Sequence, residues 1–464
     1  MSAVLPTPPE GFDLEVPVLV IGAGASGLVA ALSARDHGGE VLVIEADAVP
    51  SGSTALSAGL IPAAGTRFQR NVGIEDAHDI FARDIQRKAH NENPQGLVDT
   101  LASNAASTIE WLSDRFGLPF SVVTDFDYPG HSRRRMHGLP TRSGRELVDC
   151  LRSACEAEGI DIVCNRRATT LFSDTSRVTG IETEGPDGPE RIGCEALILA
   201  CNGFGGNREM VSRLMPEIED ALWFGHDGNT GDAVRWGHAL DAECLHLGAY
   251  QGHGNVSTPH GILISWAVIT AGGIQVNAEG RRFWDESQGY SEAARAVLAQ
   301  PGGVAWAIFD ARIASIARQF QDFKDAESVG AIRMAETTTE LAAICGLPEH
   351  ALMQTIADLP LDSKDEFGRS FDGPGLAPPY MAVKVTGALF HTQGGLNIEA
   401  DTRVKLKNRT TSPNLFAAGG AAVGVSGTSD RGYLSGNGLL SAVVLGRIAG
   451  QSAAQHTRME SGNV

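Results

Sequence analysis

One stretch near the start of the chain, VPVLVIGAGASGLVAALSARDHGGEVLVIEA (17–47), constrains the fold more than any other part. Its pattern predicts an apolar strand, a tight glycine turn, a helix and a second strand. Gly22, Gly24 and Gly27 form GxGxxG, and Glu45 ends the second strand. Such a turn lets a pyrophosphate approach the helix N-terminus, while the carboxylate accepts hydrogen bonds from ribose hydroxyls. The stretch therefore predicts a Rossmann-like dinucleotide-binding unit in an α/β fold.

The size and composition of the chain limit its class. Its 464 residues are enough for one large core or two domains. The net charge of −19 argues against nucleic-acid binding, which needs a basic surface. The seven cysteines form no CxxC pair, so we expect no metal site, and their odd number favours a reducing compartment. The start has no signal-peptide pattern and no apolar run is long enough for a membrane span, so we expect a cytoplasmic protein.

The pattern changes in the middle of the chain. From about residue 250 to 380, strands such as GGIQVN alternate with helices such as TTTELAAICG. On either side of this region, strands run into glycine-rich turns. We therefore predict that residues 1–249 and 381–464 form two parts of one cofactor-binding domain. Residues 250–380 are predicted to form an inserted substrate or capping domain.

The glycine motif and Glu45 fit either NAD or FAD, and three features favour FAD. The chain has no second GxGxxG, so a flavoprotein with its own NAD(P)H domain is not expected. The hydroxyl-rich stretch SGSTALSAG (51–59) follows the acid and offers backbone N–H groups to a pyrophosphate and an isoalloxazine edge. Near the C-terminus, SGTSDRGYLSGNGLL (426–440) opens a helix, whose N-terminus attracts an anionic cofactor or an oxyanion.

These features resemble the flavoprotein family that includes fumarate reductase, the succinate dehydrogenase flavoprotein subunit and the 3-ketosteroid dehydrogenases. The matching segments follow the family's order and cover nearly the whole chain: GAGASGLVAAL, SGSTALSAG, ALILACNGFGGN, NTGDAVRWGHALDA, GGIQVNAEGRRF, HTQGGL, LFAAGG and SGNGLL. The resemblance implies a Rossmann-like (GR2-type) FAD-binding domain with an inserted α+β capping domain. The family's covalent flavin-histidine has no counterpart in SGSTALSAGLIPAAG (51–65), so we expect noncovalent FAD.

Candidate cofactor-binding residues come from these motifs and from the strands that lead into them. They are Gly22, Gly24, Ala25, Ser26, Gly27, Glu45, Ala46, Ser51, Ser53, Thr54, Ser57, Ala58, Gly59, Ala168, Ala200, Asn202, Gly203, Asn207, Gly231, Asp232, Gly419, Gly420, Gly436, Asn437, Leu439 and Leu440.

The family uses two sets of substrate-facing residues, and this sequence carries parts of both. The fumarate reductase set clamps carboxylates with histidines and arginines and uses an arginine as proton donor. By this resemblance, Arg282 in GRRF matches that arginine and His391 in HTQGG matches a clamping histidine. His253 in QGHG is a further candidate for a clamp. The family's acid-and-arginine stretch reads ISWAVITAGG here, with Trp266 and no charge.

The ketosteroid dehydrogenase set consists of tyrosines. One abstracts a proton, one donates a hydrogen bond to the ketone oxygen, and others support them. Tyr290 in FWDESQGY resembles the proton-abstracting residue, and Tyr433 resembles the carbonyl-binding residue with Ser435 close by. Tyr128 in FDYPG lies where a third active-site tyrosine is found. A tyrosinate base needs a neighbouring cation or hydrogen bond, because the ordinary pKa of tyrosine is about 10.

Two basic features have more than one interpretation. Arg431 lies six residues before Asn437, whereas the clamping arginine of the family's NRxGGN motif lies four before its asparagine. We expect Arg431 to stabilise negative charge near the substrate rather than to deliver the proton. The segment HSRRRMH (131–137) is interpreted as a solvated basic patch, with guidance of an anionic substrate as the alternative.

We therefore expect an FAD-dependent dehydrogenase that desaturates a Cα–Cβ bond beside a ketone, of the 3-ketosteroid or smaller cyclic-ketone type. The hydride would pass to flavin N5 and the proton to a tyrosine. The alternative is a soluble fumarate-reductase-like oxidoreductase of a small di- or tricarboxylate. With no haem or iron–sulfur motif, a diffusible acceptor or oxygen is expected to take the electrons. A noncatalytic flavoprotein is disfavoured, because the Tyr, His and Arg cluster would then have no purpose.

Overall fold

The computed structural model describes residues 3–359, 363–371 and 373–461, so the outer ends of the predicted ranges lie outside the described residues. The strands are β1 (Ala3–Leu5), β2 (Leu14–Ile21), β3 (Val41–Ile44), β4 (Ile61–Pro62), β5 (Ser121–Val122), β6 (Met136–Gly138), β7 (Asp161–Val163), β8 (Arg167–Asp174), β9 (Arg177–Gly185), β10 (Gly188–Leu199), β11 (Leu222–Trp223), β12 (Cys244–Leu245), β13 (Tyr250–Ser257), β14 (Ile274–Val276), β15 (Val304–Asp310), β16 (Ile332–Ala335), β17 (Tyr380–Thr392), β18 (Gly395–Leu396), β19 (Arg403–Lys405) and β20 (Thr411–Ala417).

The α-helices are α1 (Ala25–Asp36), α2 (Gly52–Ala55), α3 (Arg67–Asn71), α4 (His78–Lys88), α5 (Gln95–Phe116), α6 (Gly144–Ala157), α7 (Arg208–Leu214), α8 (Asp232–Ala239), α9 (Ala267–Thr270), α10 (Tyr290–Leu298), α11 (Ala311–Ala317), α12 (Gln321–Ser328), α13 (Thr338–Cys345), α14 (Glu349–Ala357) and α15 (Asn437–Ser461). Helices separate most strands, but β7–β10 and β17–β20 follow one another without an intervening α-helix. The helical stretch predicted over 74–116 is divided into α4 and α5. The break contains two residues with positive φ, His90 and Asn91, and then Pro94, which restricts the residue before it. Among the described residues, no helix is both long and apolar enough to cross a membrane.

The main sheet is built around the strand that precedes the glycine turn. Strand β2 pairs in parallel with β3 on one side and with β10 on the other. The other edge of the twelve-residue β10 is shared by two strands. Its first half pairs antiparallel with β9, and its end pairs in parallel with β20. Helices α1 and α15 pack against each other on this sheet. The N-terminal and C-terminal segments of the chain are thereby joined in one Rossmann-like layer, which confirms the predicted fold class.

A second sheet forms the layer above the first. Its central strand β17 pairs with β13, β15 and β16 in antiparallel fashion and with β11 in parallel. Helix α10 packs on β13 and β17. Strand β11 lies before the predicted cap range of 250–380, and β17 begins at its last residue and continues beyond it. The cap sheet therefore depends on strands from both sides of the insertion, while the domain boundaries themselves stay a prediction.

Two ion pairs join α10 of the second layer to the first layer. The Lys88 ammonium at the end of α4 contacts the Glu292 carboxylate, and both side chains are largely buried. Burial raises the pKa of Glu292 to about 7, although Lys88 acts in the opposite direction. Arg295 Nε lies 2.7 Å from Asp430 Oδ2, in the turn that leads into α15. Helix α10 is thus fixed at two points to the layer that carries the glycine turn.

Candidate active site

The glycine turn after β2 is shaped by contacts that exclude side chains. Gly22 has a φ of +103°, and a Cβ there would lie 2.7 Å from the carbonyl oxygen of Ala200. A Cβ on Gly27 would lie 1.8 Å from the carbonyl oxygen of Gly22. A side chain at either position would therefore push α1 away from the sheet. The turn leaves the first residues of α1 on the wall of a cavity, where a helix N-terminus can hold a phosphate.

Two polar side chains at this end of the cavity fit a dinucleotide. The Glu45 carboxylate is held by the backbone N–H of Ala23 (2.6 Å to Oε2) and of Asp47 (3.0 Å to Oε1). This fixed carboxylate lines the cavity and can accept hydrogen bonds from ribose hydroxyls. The Ser26 hydroxyl is buried on the same wall and has no hydrogen-bond partner within the described structure. An unpartnered hydroxyl at a helix N-terminus fits a phosphate oxygen, so the residues present suit FAD.

Most of the candidate cofactor residues lie on the wall of this one cavity. The sequence motifs that carry them are far apart in the chain, but β2, β10, β20 and α15 bring them together. Those on the wall are Gly22, Gly24, Ala25, Ser26, Glu45, Ala46, Ser53, Thr54, Ser57, Ala58, Gly59, Ala168, Ala200, Asn202, Asp232, Gly419, Gly420, Gly436 and Leu439.

The other candidates lie behind the wall and have structural partners instead. Asn207 accepts a hydrogen bond from the Met210 N–H and caps α7. Asn437 donates to the carbonyl oxygen of Val425, which fixes the turn before α15. These candidates support the shape of the cavity without lining it, and they are Gly27, Ser51, Gly203, Asn207, Gly231, Asn437 and Leu440.

The opposite end of the same cavity is walled mainly by rings. We call it the aromatic end, and it is formed by Tyr128, His253, Trp266, Tyr290, Phe390, His391, Tyr433 and Ser435. The His253 ring stacks on Tyr290 at a centroid distance of 4.7 Å and on Phe390 at 5.1 Å. Tyr290 meets Tyr433 edge to face at 5.8 Å. Residues from β13, α10, β17 and the 426–436 turn are therefore packed into a single rigid surface.

The hydroxyl groups of Tyr290 and Tyr433 are coupled. Burial raises the pKa of Tyr290 to about 12, against hydrogen bonds from the side chains of Ser435 and Tyr433 and the N–H of Gly436. Burial, followed by the nearby Tyr290 hydroxyl, raises the pKa of Tyr433 well above its ordinary value. Both rings therefore carry their protons at neutral pH. Two phenols side by side can donate hydrogen bonds, and either can take part in proton transfer.

The two histidines at the aromatic end are neutral at physiological pH. Burial lowers the pKa of His253 to about 3 and that of His391 to about 4. The His391 Nδ1 lies 2.8 Å from the Gln393 amide nitrogen, and the His253 Nδ1 accepts from the Asn255 N–H. Without a positive charge, neither ring attracts a carboxylate by charge, although each can still form hydrogen bonds.

Arg282 and Arg431 are not among the residues that line the cavity, in contrast to the other residues predicted to face the substrate. The Arg282 guanidinium is buried between Glu286 and Asp365 and lies over the Phe371 ring. Its charge is thus already compensated inside the cap. Arg431 is exposed on the outer side of the turn that carries Tyr433. The arginines on the described cavity wall are Arg166 and Arg167, at the Glu45 end, where the Arg166 N–H donates to the carbonyl oxygen of Glu45 (2.8 Å).

The basic segment 131–137 is only in part the solvated patch that its composition predicts, since Arg133 and Arg134 are exposed but Arg135 is not. Arg135 is completely buried, with Nε 2.8 Å from Asp76 Oδ2 and Nη1 2.5 Å from Asp84 Oδ2. His137 is buried and His131 is partly buried, and desolvation lowers the pKa of each to about 4. One of the three arginine charges is thus removed from the surface, by acids that lie more than fifty residues earlier in the chain.

Several residues on the wall were missed by the sequence reasoning. Phe224 stacks on Phe390 at 4.6 Å, and His226 pairs with Asp47 at 2.6 Å near the Glu45 end. Phe320 and Asp322, around the start of α12, line the wall as well. These residues belong to no recognisable motif, so only the pairing of distant strands and helices brings them to the site.

Comparisons with known proteins agree with this architecture. The FAD binding domain family matches residues 17–439. A probable fumarate reductase of Shewanella frigidimarina is 33% identical over 451 residues, which is 95% of this chain and 75% of that protein.

Solved structures give the same assignment. The open conformation of a flavocytochrome c3 fumarate reductase has a TM-score of 0.81 at 31% identity and covers 97% of this chain and 79% of that one. A 3-ketosteroid-Δ4-(5α)-dehydrogenase from Rhodococcus jostii RHA1 has a TM-score of 0.76 and covers 98% of this chain and 100% of that one. At 23% identity this second likeness concerns the fold alone. Together with the glycine turn, Glu45 and the unpartnered Ser26 hydroxyl, these matches place the chain in the FAD binding domain family, as an FAD-dependent oxidoreductase.

Proposed function

We propose that the protein is a dehydrogenase of a Cα–Cβ bond beside a ketone, with a 3-ketosteroid or a smaller cyclic ketone as substrate. The observation that carries this proposal is the neutral aromatic end of the cavity, where Tyr290 and Tyr433 lie together. Among the described residues of that end there is no lysine or arginine. A neutral, largely apolar surface with two phenol donors matches a ring ketone better than an anion.

Each tyrosine has a separate task in this proposal. Tyr433 donates a hydrogen bond to the ketone oxygen, and this bond strengthens as negative charge develops there. Tyr290 takes the proton when the Cα–H bond breaks, and returns it in the reverse direction. Bound FAD supplies the acceptor for the hydride released from Cβ, which leaves a Cα=Cβ double bond. A diffusible acceptor or oxygen then removes the two electrons.

The second candidate is reduction of a small unsaturated carboxylate, which is the activity named for the relatives of about 30% identity. A dicarboxylate would bring two negative charges to the aromatic end. There His253 and His391 are uncharged, because burial lowers the pKa of both rings. Moving a carboxylate from water into such a surface without a cation is unfavourable. The side chains at the aromatic end therefore favour the ketone.

Anaerobic flavin spectroscopy separates the two candidates. We expect a saturated 3-ketosteroid, or cyclohexanone as the small ring ketone, to bleach the oxidised flavin of the purified protein. Chemically reduced protein should be reoxidised by the corresponding enone much faster than by fumarate. Rapid reoxidation by fumarate, with no bleaching by either ketone, would overturn the ketone proposal in favour of the carboxylate.

We further propose that FAD is bound without a covalent link. Residues 51–59 offer hydroxyl and backbone groups to the cavity, among them Ser53, Thr54 and Ser57, and the segment itself contains no histidine or cysteine. Precipitation of the protein with acid should release the yellow colour into the supernatant. Colour that remains with the precipitate after washing would contradict this prediction.

A further inference from the structure

One acidic side chain on the cavity wall has no role in the chemistry described so far. Asp322 lies in the first turn of α12 and lines the same cavity as Tyr290 and Tyr433. It forms no ion pair within the described part of the chain. Arg142 donates to the side chain of Gln319 (2.6 Å), three residues before Asp322, and to Asp125 (2.7 Å).

The surroundings of Asp322 are apolar. Phe320, two residues earlier, is 4% exposed and lines the cavity, and its ring packs on Phe126 at 5.4 Å. Phe126 in turn packs on Tyr128 at 5.0 Å, which joins this wall to the aromatic end. Burial raises the pKa of Asp322 to about 6, and Asp325 acts in the same direction. At neutral pH the side chain is therefore mostly an uncompensated carboxylate on an aromatic surface.

An acid in the first turn of a helix is common, because the helix N-terminus attracts negative charge. That explanation accounts for a carboxylate on α12 in general. It does not account for a half-buried one on the wall of the substrate cavity beside Phe320, where desolvation opposes the charge. A carboxylate in such a place accepts strong hydrogen bonds and repels anions.

We propose that Asp322 selects the substrate by accepting a hydrogen bond from a hydroxyl group on the part of the ring system remote from the ketone. The same charge excludes ring ketones that carry a carboxylate at that position. The inference rests on the proposed function, since it assumes that the ketone oxygen meets Tyr433. It narrows the substrate to a neutral hydroxylated ring ketone.

The test compares two ring ketones that differ only in the remote substituent, a hydroxyl or a carboxylate. The rate of anaerobic flavin reduction per unit substrate concentration is measured for each. We expect the wild-type protein to react faster with the hydroxyl compound than with the carboxylate compound. In Asp322→Asn the ratio of the two rates should be about ten- to a hundredfold smaller. Asp322→Ala, which also removes the acceptor, should in addition slow the hydroxyl compound itself.

Asp325→Asn is the matched control. It removes one charge from the same helix, but its side chain is exposed and is not on the cavity wall. Its preference should equal that of the wild type. An equal change of preference in Asp322→Asn and Asp325→Asn would indicate a general charge effect and would overturn the inference. A wild-type preference in Asp322→Asn would overturn it as well. Absence of bleaching by both ketones in the wild type would instead overturn the proposed function.

Discussion

Replacement of Tyr290 by phenylalanine should slow flavin reduction by a ring ketone about 10²–10⁴-fold, the usual contribution of a positioned acid or base. The ring is retained, so the stacking on His253 and the edge contact with Tyr433 remain. The content of FAD and the affinity for the ketone should change little. Stopped-flow absorbance of the flavin under anaerobic conditions measures the effect.

The pH dependence of the same reaction identifies the group. Because burial raises the pKa of Tyr290 to about 12, the phenol dominates at neutral pH, and the tyrosinate fraction rises about tenfold per pH unit below that value. Ketone oxidation requires the tyrosinate, so its rate should increase with pH between 6 and 9. Reoxidation of reduced protein by the enone requires the phenol and should be flat over the same range.

Tyr380→Phe is the control for this prediction, because Tyr380 lies at the start of β17 and not on the cavity wall. It should keep both the rate and the slope of the wild type. If Tyr290→Phe retains the wild-type increase with pH, another residue accepts the proton and the assignment of Tyr290 is wrong.

Tyr433→Phe should reduce the turnover of a ring ketone by about a hundredfold or more, which is the effect of removing one donor to a developing oxyanion. The hydroxyl keeps its proton because burial raises the pKa of Tyr433 well above its ordinary value. It is therefore able to donate throughout the physiological pH range. The loss should appear in the rate of flavin reduction at saturating ketone rather than in binding of the flavin.

The Arg431→Lys variant is the companion experiment, because Arg431 lies two residues before Tyr433. Arg431 is exposed and outside the cavity, so this variant should reduce its flavin at nearly the wild-type rate. A Tyr433→Phe variant with normal activity, together with an inactive Arg431→Lys variant, would point to a carboxylate held by the guanidinium. The ketone assignment would then have to be abandoned.

The parts of the site that could be predicted from sequence are those in which the chemistry is local. Gly22, Gly27 and Glu45 lie within one strand–turn–helix–strand unit, and its geometry follows from steric limits and hydrogen bonding over about twenty residues. Tyr433 and Ser435 also line the cavity, in a turn that opens a helix, but the roles predicted for them rest on the family resemblance.

The surroundings of a residue cannot be predicted from sequence where they are formed by partners that are distant in the chain. Arg282 follows a glycine turn and resembles a catalytic arginine. In the structure its guanidinium is paired with two carboxylates, those of Glu286 and of Asp365, which lies 83 residues later in the chain. Arg135 is removed from the surface in the same way by Asp76 and Asp84. Spacing along the chain carries no information about such pairs, which form only when segments distant in sequence pack together.

The position of Tyr290 at the first residue of α10 has a consequence for the order of events in a catalytic cycle. Any opening wide enough to move α10 off the first layer would separate Lys88 from Glu292 and Arg295 from Asp430, and would withdraw the phenol together with the helix. With Tyr290 in the role proposed above, an open enzyme would lack its proton-transfer group, and reduced cofactor exposed to water would have no acid beside it. Closure and chemical competence would then be the same event, and weakening the ion pairs on α10 would lower the fraction of enzyme that is ready to react.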